Sequence, residues 1–159
     1  MNSASAISVL FMLYSQHQDA SAKYREAANL INNGKLTDYF KELADYHFGQ
    51  ANALQKVLED MSPSPVPMPD MQHQKAYFTL HWEKVKDALD KEDMQRLLGF
   101  VHQNEEDLST AYREGLKTHG LPEGLQTMLH DLHKKQLHAV SQTERYETVQ
   151  DIRLGNINA

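Results

Sequence analysis

Cysteine is absent from this chain of 159 residues, which excludes disulfide bonds, thiolate nucleophiles and thiolate metal ligands. Any metal site must therefore use histidine, carboxylate or amide donors. Basic residues are outnumbered as well, because 16 Lys and Arg stand against 22 Asp and Glu and leave a formal net charge of −6. A general nucleic-acid-binding protein would carry a basic stripe, so we predict that nucleic acid is not a partner.

Long apolar runs are also missing, and most of the prolines are confined to one segment. No run approaches the ~18 apolar residues of a membrane span, so we predict no membrane association. The short apolar run 6–14 lacks the preceding Lys or Arg of a secretory signal, and we interpret it as helix in a cytoplasmic protein. Four of the five prolines lie between Ser62 and Pro69. Because proline interrupts helices and favours extended chain, we predict a crossover over residues 62–70.

Elsewhere, apolar residues recur at three- and four-residue steps, which predicts an all-α protein. The predicted helices cover about 4–32, 35–61, 71–89, 91–118 and 122–154. Short loops within each half favour two antiparallel hairpins, so we predict one four-helix bundle over 1–159 with a short extra helix. We expect Gly34 to end the first helix in the left-handed conformation and Asp90 to cap the helix at 91–118.

The predicted helix at 71–89 contains the single tryptophan of the chain and two further aromatic residues, Tyr77 and Phe78. We interpret the segment around Trp82 as a packing plug over one end or side of the bundle. An aromatic surface for a ligand or for a partner helix is the alternative.

The tripeptide Tyr-Arg-Glu and the serine three residues before it occur in both the first and the third long helix, at a constant offset of 88 residues. His17, Ser21 and Tyr24 correspond to Glu105, Ser109 and Tyr112. An offset larger by one pairs His47 with Gln136 in the other two long helices. The recurrence indicates a duplicated hairpin, with a chance match in a Glu- and Arg-rich helical chain as the alternative.

These positions belong to a set of polar residues near the middle of the four long helices, called the polar layer below. The set comprises His17, Ser21, Tyr24, His47, Gln50, Glu105, Ser109, Tyr112 and Gln136. Each buried polar group without a partner costs about 1–3 kcal/mol, so the layer must hold either a hydrogen-bonded network or an ion. If the layer is only a hydrogen-bonded network, we expect replacement of both His47 and Glu105 with leucine to be tolerated, and Glu105→Leu alone to destabilise more than the pair.

A metal ion is the alternative content of the layer. Carboxylate and imidazole groups that converge from facing helices are how helical bundles hold metals. The predicted ligands are His17, His47 and Glu105, joined by His133 if the fourth helix is rotated. Such a donor set would suit one divalent ion such as Zn or Fe, although the fold requires no cofactor.

The chain also resembles a known group of proteins over nearly its whole length. The matching positions are Tyr24 with Ala27 and Ala28, Phe40, Leu43-Ala44, Leu54, His81-Trp82 with Lys86, Glu105, Tyr112, Leu116 and Gln136. In these residues it resembles the ferritin-like superfamily. More closely, it is similar to a bacterial four-helix-bundle family known as domain of unknown function 2383. The resemblance implies a ferritin-like bundle of two hairpins joined by a long crossover.

The resemblance also implies which residues stand where a ferritin-like protein holds two irons. His17 and Glu105 fall at the single-ligand positions, and His47 and Gln136 begin the paired ones. Only Glu105 keeps a carboxylate, so we do not expect a di-iron oxidase or ferroxidase. The expected function is a structural, stress-linked or interaction protein, with a homodimer and an unidentified protein partner left open. A mononuclear metal protein with a buffering or weak oxidase role is the alternative.

Overall fold

The computed structural model describes residues 3–32, 34–61 and 75–153, with side chains between residues 5 and 146 of these ranges. This part of the chain is helical and contains no strand, which confirms the prediction of an all-α protein. Its six helices are α1 (Ser3–Leu30), α2 (Gly34–Met61), α3 (Tyr77–Leu80), α4 (Trp82–Asp90), α5 (Met94–Leu116) and α6 (Glu123–Arg153). The predicted crossover 62–70 lies outside the described residues. No helix in the described ranges is long and apolar enough to cross a membrane.

Three details of the helix ends differ from the prediction. The segment predicted as one helix at 71–89 contains two short helices that meet at His81, while residues 71–74 are not described. Asp90 is the last residue of α4, and the cap of α5 is Asp93, whose Oδ1 accepts a hydrogen bond from the Arg96 N–H at 3.2 Å. Gly34 begins α2 and does not end α1, so the prediction for this glycine is wrong.

Side-chain contacts define the directions of the four long helices. Along α1, His17 meets Tyr112 of α5 and Tyr24 meets Glu105, so α1 and α5 are antiparallel. His17 contacts His47 of α2, and Ser21, further along α1, contacts the earlier residue Ala44. Helix α2 is therefore antiparallel to α1. Helices α2 and α5 therefore run in the same direction. Met61, the last residue of α2, and Met94, the first residue of α5, therefore lie at opposite ends of the bundle.

Two apolar clusters fill the interior and lie at opposite ends of the polar layer. One is formed by residues such as Leu10, Leu13, Leu54 and Leu129, and includes side chains from all four long helices. The other surrounds Phe40, Leu97 and Val101 and is completed by α3 and α4. Burying these side chains is the main source of stability, at about 25 cal/mol for each Å² of apolar surface. The polar layer is thus held in place by apolar packing on both sides.

Helices α3 and α4 pack on the side of the bundle formed by α1 and α5. Phe78 is fully buried, and the partly buried Trp82 packs against the same apolar cluster. The Lys23 ammonium lies 4.7 Å from the centroid of the Trp82 ring, within cation–π range. The segment therefore has the packing role that the sequence indicated.

Replacing Gly115 with alanine is expected to lower the free energy of unfolding by about 1–2 kcal/mol. A Cβ at Gly115 would lie 2.9 Å from Val9 Cγ1, so α1 and α5 would have to move apart or Val9 would have to shift. The clash outweighs the gain of up to about 1 kcal/mol that alanine brings to a helix interior. Urea denaturation of the variant and the wild type measures the difference.

The matched control is Gly99→Ala in the same helix. A Cβ at Gly99 meets nothing within 4 Å, so this change should raise stability by about 0.5–1 kcal/mol. Equal effects at the two glycines would show that the close approach of Val9 does not limit position 115.

Candidate functional site: the buried polar layer

Glu105 lies at the centre of the polar layer and is fully buried. His47 Nε2 lies 2.9 Å from both carboxylate oxygens. Tyr24 donates its hydroxyl to Oε2 at 2.6 Å, and the Asn104 amide donates to the same oxygen at 3.0 Å. The Gln136 amide donates to Oε1 at 3.3 Å and to the Glu105 backbone carbonyl at 2.9 Å. One carboxylate thus accepts hydrogen bonds from four side chains, which come from α1, α2, α6 and α5 itself.

A chain of hydrogen bonds leads from this carboxylate across the layer. His47 Nδ1 lies 2.8 Å from His17 Nδ1, and His17 Nε2 lies 2.7 Å from the Tyr112 hydroxyl. When both imidazoles are neutral, Tyr112 donates to His17 and His17 donates from Nδ1 to His47. When His47 is protonated, it donates to His17 Nδ1, and His17 Nε2 donates to the Tyr112 hydroxyl. In both cases His47 donates from Nε2 to Glu105. All four hydrogen-bonded side chains in this row are buried, so each polar group depends on its protein partner.

The electrostatics of the layer favour an ionised carboxylate and a neutral His17. Burial alone would raise the pKa of Glu105. Its pKa nevertheless lies below the usual value, because protonated His47 attracts the carboxylate and because His47, Tyr24 and Asn104 donate hydrogen bonds to it. Burial lowers the pKa of His17 well below its usual value, and repulsion from protonated His47 lowers it further. A proton is thereby kept off His17.

Tyr24, Tyr112 and Tyr46, whose hydroxyl contacts Gln136, all keep their hydroxyl protons. Burial raises the pKa of Tyr24 well above its usual value, and the charge of Glu105 raises it further. Burial raises the pKa of Tyr46 and Tyr112 as well, with the charge of Glu105 adding to the effect at Tyr46. A phenolate at Tyr24 or Tyr46 would place a second negative charge near Glu105, and one at Tyr112 would be a buried charge, so these hydroxyls keep their protons.

The two hairpins make corresponding contacts. Tyr24 of the first hairpin donates to Glu105, while Tyr112 of the second contacts His17. The serines behave in the same way, because each contacts the neighbouring helix of its own hairpin. Ser21 donates to the Ala44 carbonyl at 2.8 Å, and Ser109 Oγ lies 3.2 Å from His133 Nε2. The constant sequence offset therefore appears as an approximate two-fold relation between contacts.

Four of the residues predicted from the sequence, Gln50, His133 and the two serines described above, have no described hydrogen bond to this network. Gln50 is half-buried, and its Oε1 is buried without a hydrogen-bond partner in the part of the chain that the structure describes. His133 contacts Ser109 and stacks on Tyr112, with ring centroids 5.9 Å apart and an interplanar angle of 15°. Burial, and repulsion from Arg113 and His130, lower its pKa. His133 thus lies beside the layer and does not reach Glu105 through any described hydrogen bond.

Two participants were missed by the sequence analysis. The Asn104 amide donates to Tyr24 at 2.8 Å, and its Oδ1 accepts from the Phe78 N–H at 3.1 Å, which ties α3 to the layer. Tyr46 donates its hydroxyl to Gln136 Oε1 at 2.9 Å. Each of the two precedes a predicted residue directly in the chain and lies off the periodic core positions. A search for polar neighbours of the predicted layer would have found both.

A metal ion in the layer would have to displace these hydrogen bonds. The two nitrogens of His47 face different groups, Nδ1 toward His17 and Nε2 toward Glu105. Within the described ranges, the one group of three residues whose donor atoms lie within 4.8 Å of one another is His102, Glu106 and Glu144, outside the layer. The mononuclear site suggested by the sequence stays a prediction.

No protein-family model, curated protein or solved structure matches this chain. What the protein does is therefore inferred from the geometry of the polar layer and of the surface. Glu105, His17, His47, Tyr24 and Tyr112 are fully buried, and the carboxylate accepts hydrogen bonds from four helices. This arrangement is suited to holding four helices in one register.

Proposed function

We propose that this protein is a ferritin-like bundle whose core works without metal, and that it serves as a structural or interaction protein. The observation that supports this most directly is the saturation of the Glu105 carboxylate. A carboxylate offers about four lone-pair positions, and here two oxygens accept from His47, Tyr24, Asn104 and Gln136. A metal-binding carboxylate would have to give these positions to the ion.

The helix directions support the ferritin-like part of the proposal. Two hairpins joined by one long crossover are the connectivity of ferritin-like bundles. The donor set supports the metal-free part. A dinuclear centre uses four or more carboxylates from four helices, whereas the polar layer contributes Glu105 alone. A single negative charge cannot neutralise and bridge two divalent ions.

The side of the bundle formed by α2 and α6 supports the interaction part. It lies away from α3 and α4 and carries a groove of about 490 Å³. The Tyr39 and Tyr146 rings line this groove and stack face to face, with centroids 4.2 Å apart. Charged side chains of both signs, including Glu42 and Arg145, surround the rings. Aromatic residues within a polar rim are typical of protein–protein interfaces.

The iron test addresses the core directly. Anaerobic Fe²⁺ added to tag-free protein and then exposed to air should oxidise no faster than in protein-free buffer, because Glu105 has no free lone pair to offer. The absorbance of the ferric products in the near ultraviolet measures the rate of iron oxidation. The control is Glu105→Gln, which should behave as the wild type.

The proposal fails if the wild type oxidises iron faster than buffer and Glu105→Gln removes the difference. That result would favour the mononuclear alternative.

Sedimentation equilibrium of the wild type and of Tyr39→Ala tests the interaction part. Self-association that the variant weakens would identify a second copy of the chain as the partner at this groove.

A further inference from the structure

A second group of metal-ligand residues lies on the surface between α5 and α6. His102 and Glu106 are one helical turn apart on α5, and Glu144 faces them from α6. His102 Nε2 lies 3.1 Å from Glu106 Oε1 and 3.9 Å from Glu144 Oε1. The imidazole is largely buried, with 22% of its side chain exposed, while the carboxylates are open to solvent. This cluster shares no residue with the polar layer.

Thr143 determines which nitrogen of His102 carries a hydrogen. Thr143 is buried, and its hydroxyl donates to the Val140 carbonyl at 2.6 Å. A hydroxyl has one hydrogen, so the same oxygen can only accept from His102 Nδ1, which lies 3.0 Å away. Nδ1 of His102 therefore carries a hydrogen. In the neutral ring, Nε2 then presents a bare lone pair to two carboxylates.

A lone pair that faces two anions needs a cation between them, either a proton or a metal ion. We propose that His102, Glu106 and Glu144 form a surface site for one divalent transition-metal ion, with Zn²⁺ as the preferred ion. Zinc takes nitrogen at about 2.0–2.1 Å and carboxylate oxygen at about 2.0–2.2 Å, so tetrahedral ligands lie about 3.3–3.5 Å apart. The observed distances from His102 Nε2 to the two carboxylate oxygens, 3.1 and 3.9 Å, lie on either side of that range.

The chemistry of the donors separates zinc from the hard cations. One imidazole and two carboxylates suit zinc and similar ions, whereas Mg²⁺ and Ca²⁺ prefer oxygen ligands alone. Three protein ligands leave a fourth position for water. Thr143 is a positioning residue, because a hydrogen bond to the second ring nitrogen fixes the tautomer and direction of a ligating histidine. The bound ion would join α5 to α6.

The test is competition for Zn²⁺ between the tag-free full chain and a chromophoric chelator near pH 7.5. The expected result is one zinc per chain at this site, with affinity at least tenfold weaker in His102→Gln and in Glu144→Gln. Thr143→Val should weaken zinc binding by about 10–100-fold. Thr143→Ser should keep the affinity of the wild type, because serine keeps the hydroxyl. Mg²⁺ should not compete.

The matched control is His130→Gln, which removes an exposed histidine from α6 and should leave the affinity unchanged. Zinc should also raise the melting temperature of the wild type and not that of Glu144→Gln, an exposed position whose change spares the core. If the cluster variants bind zinc as the wild type does, His102 takes only a proton and the proposal is overturned. It is overturned equally if His130→Gln weakens binding as much as His102→Gln. Glu105→Gln leaves this site intact, so the outcome is independent of the proposed core function.

Discussion

Replacing Glu105 with leucine is expected to lower the free energy of unfolding by about 3–5 kcal/mol. The change leaves four donors, from His47, Tyr24, Asn104 and Gln136, without their acceptor in a site closed to water. Each unsatisfied buried group costs about 1–3 kcal/mol, although repacking will recover part of the sum. The effect is a large fraction of the whole stability of a small domain, about 5–15 kcal/mol. Urea denaturation followed by circular dichroism measures it.

Glu105→Gln is the matched control, because the side chain keeps its shape and one acceptor oxygen. Its cost should be clearly smaller than that of leucine. The double variant His47→Leu with Glu105→Leu should not be neutral, since Tyr24 and two amides still lose their acceptor. It should nevertheless cost about 0.5–3 kcal/mol less than the sum of the single changes, because the partners touch. Simple additivity would show that His47 and Glu105 are not coupled.

Acidification below pH 6.5 is expected to destabilise the protein through His17. The folded state holds the pKa of this imidazole well below 6.5, whereas the unfolded chain takes up the proton near the usual value. Between the two values the unfolded state binds more protons, so stability falls as pH falls, by up to about 1.4 kcal/mol per pH unit. Below the folded pKa the loss stops. Denaturation curves at a series of pH values measure the slope.

His17→Gln is the control for the acid loss, since glutamine cannot take up the proton. The slope between pH 6.5 and the acid range should then be shallower than in the wild type. Glu105 acts at lower pH with the same sign. Its folded pKa lies below the usual 4.5, so its contribution is present above 4.5 and is lost as pH falls through the folded value. An unchanged slope in His17→Gln would assign the acid loss to other groups.

Helical periodicity was sufficient to predict where most of the layer lies. His17, His47 and Glu105 occupy core positions that repeat every three or four residues, so their burial follows from the pattern. The pattern could not predict Asn104 or Tyr46. These two sit at the edge of the periodic face, and their contacts depend on the relative rotation of neighbouring helices.

Helix boundaries were harder to predict because neighbouring residues are equivalent in composition. Asp90 and Asp93 are both good N-cap residues, and the choice follows from the turn at Glu92, which has a positive φ of 52°. The break at His81 arises where α3 must end to place Phe78 in the core and Trp82 against its surface. Such choices are made by tertiary packing, and local sequence does not contain them.

The unequal halves of the layer make each hairpin complementary to the other. The first hairpin brings the imidazoles of His17 and His47, and the second brings the carboxylate of Glu105 and the amide of Gln136. Two copies of the second hairpin, paired about the same two-fold relation, would bury two carboxylates with no imidazole to neutralise them. Two copies of the first would bury four imidazoles with no anion. If the chain were cut within 62–74, the fragments would therefore recognise each other in preference to themselves.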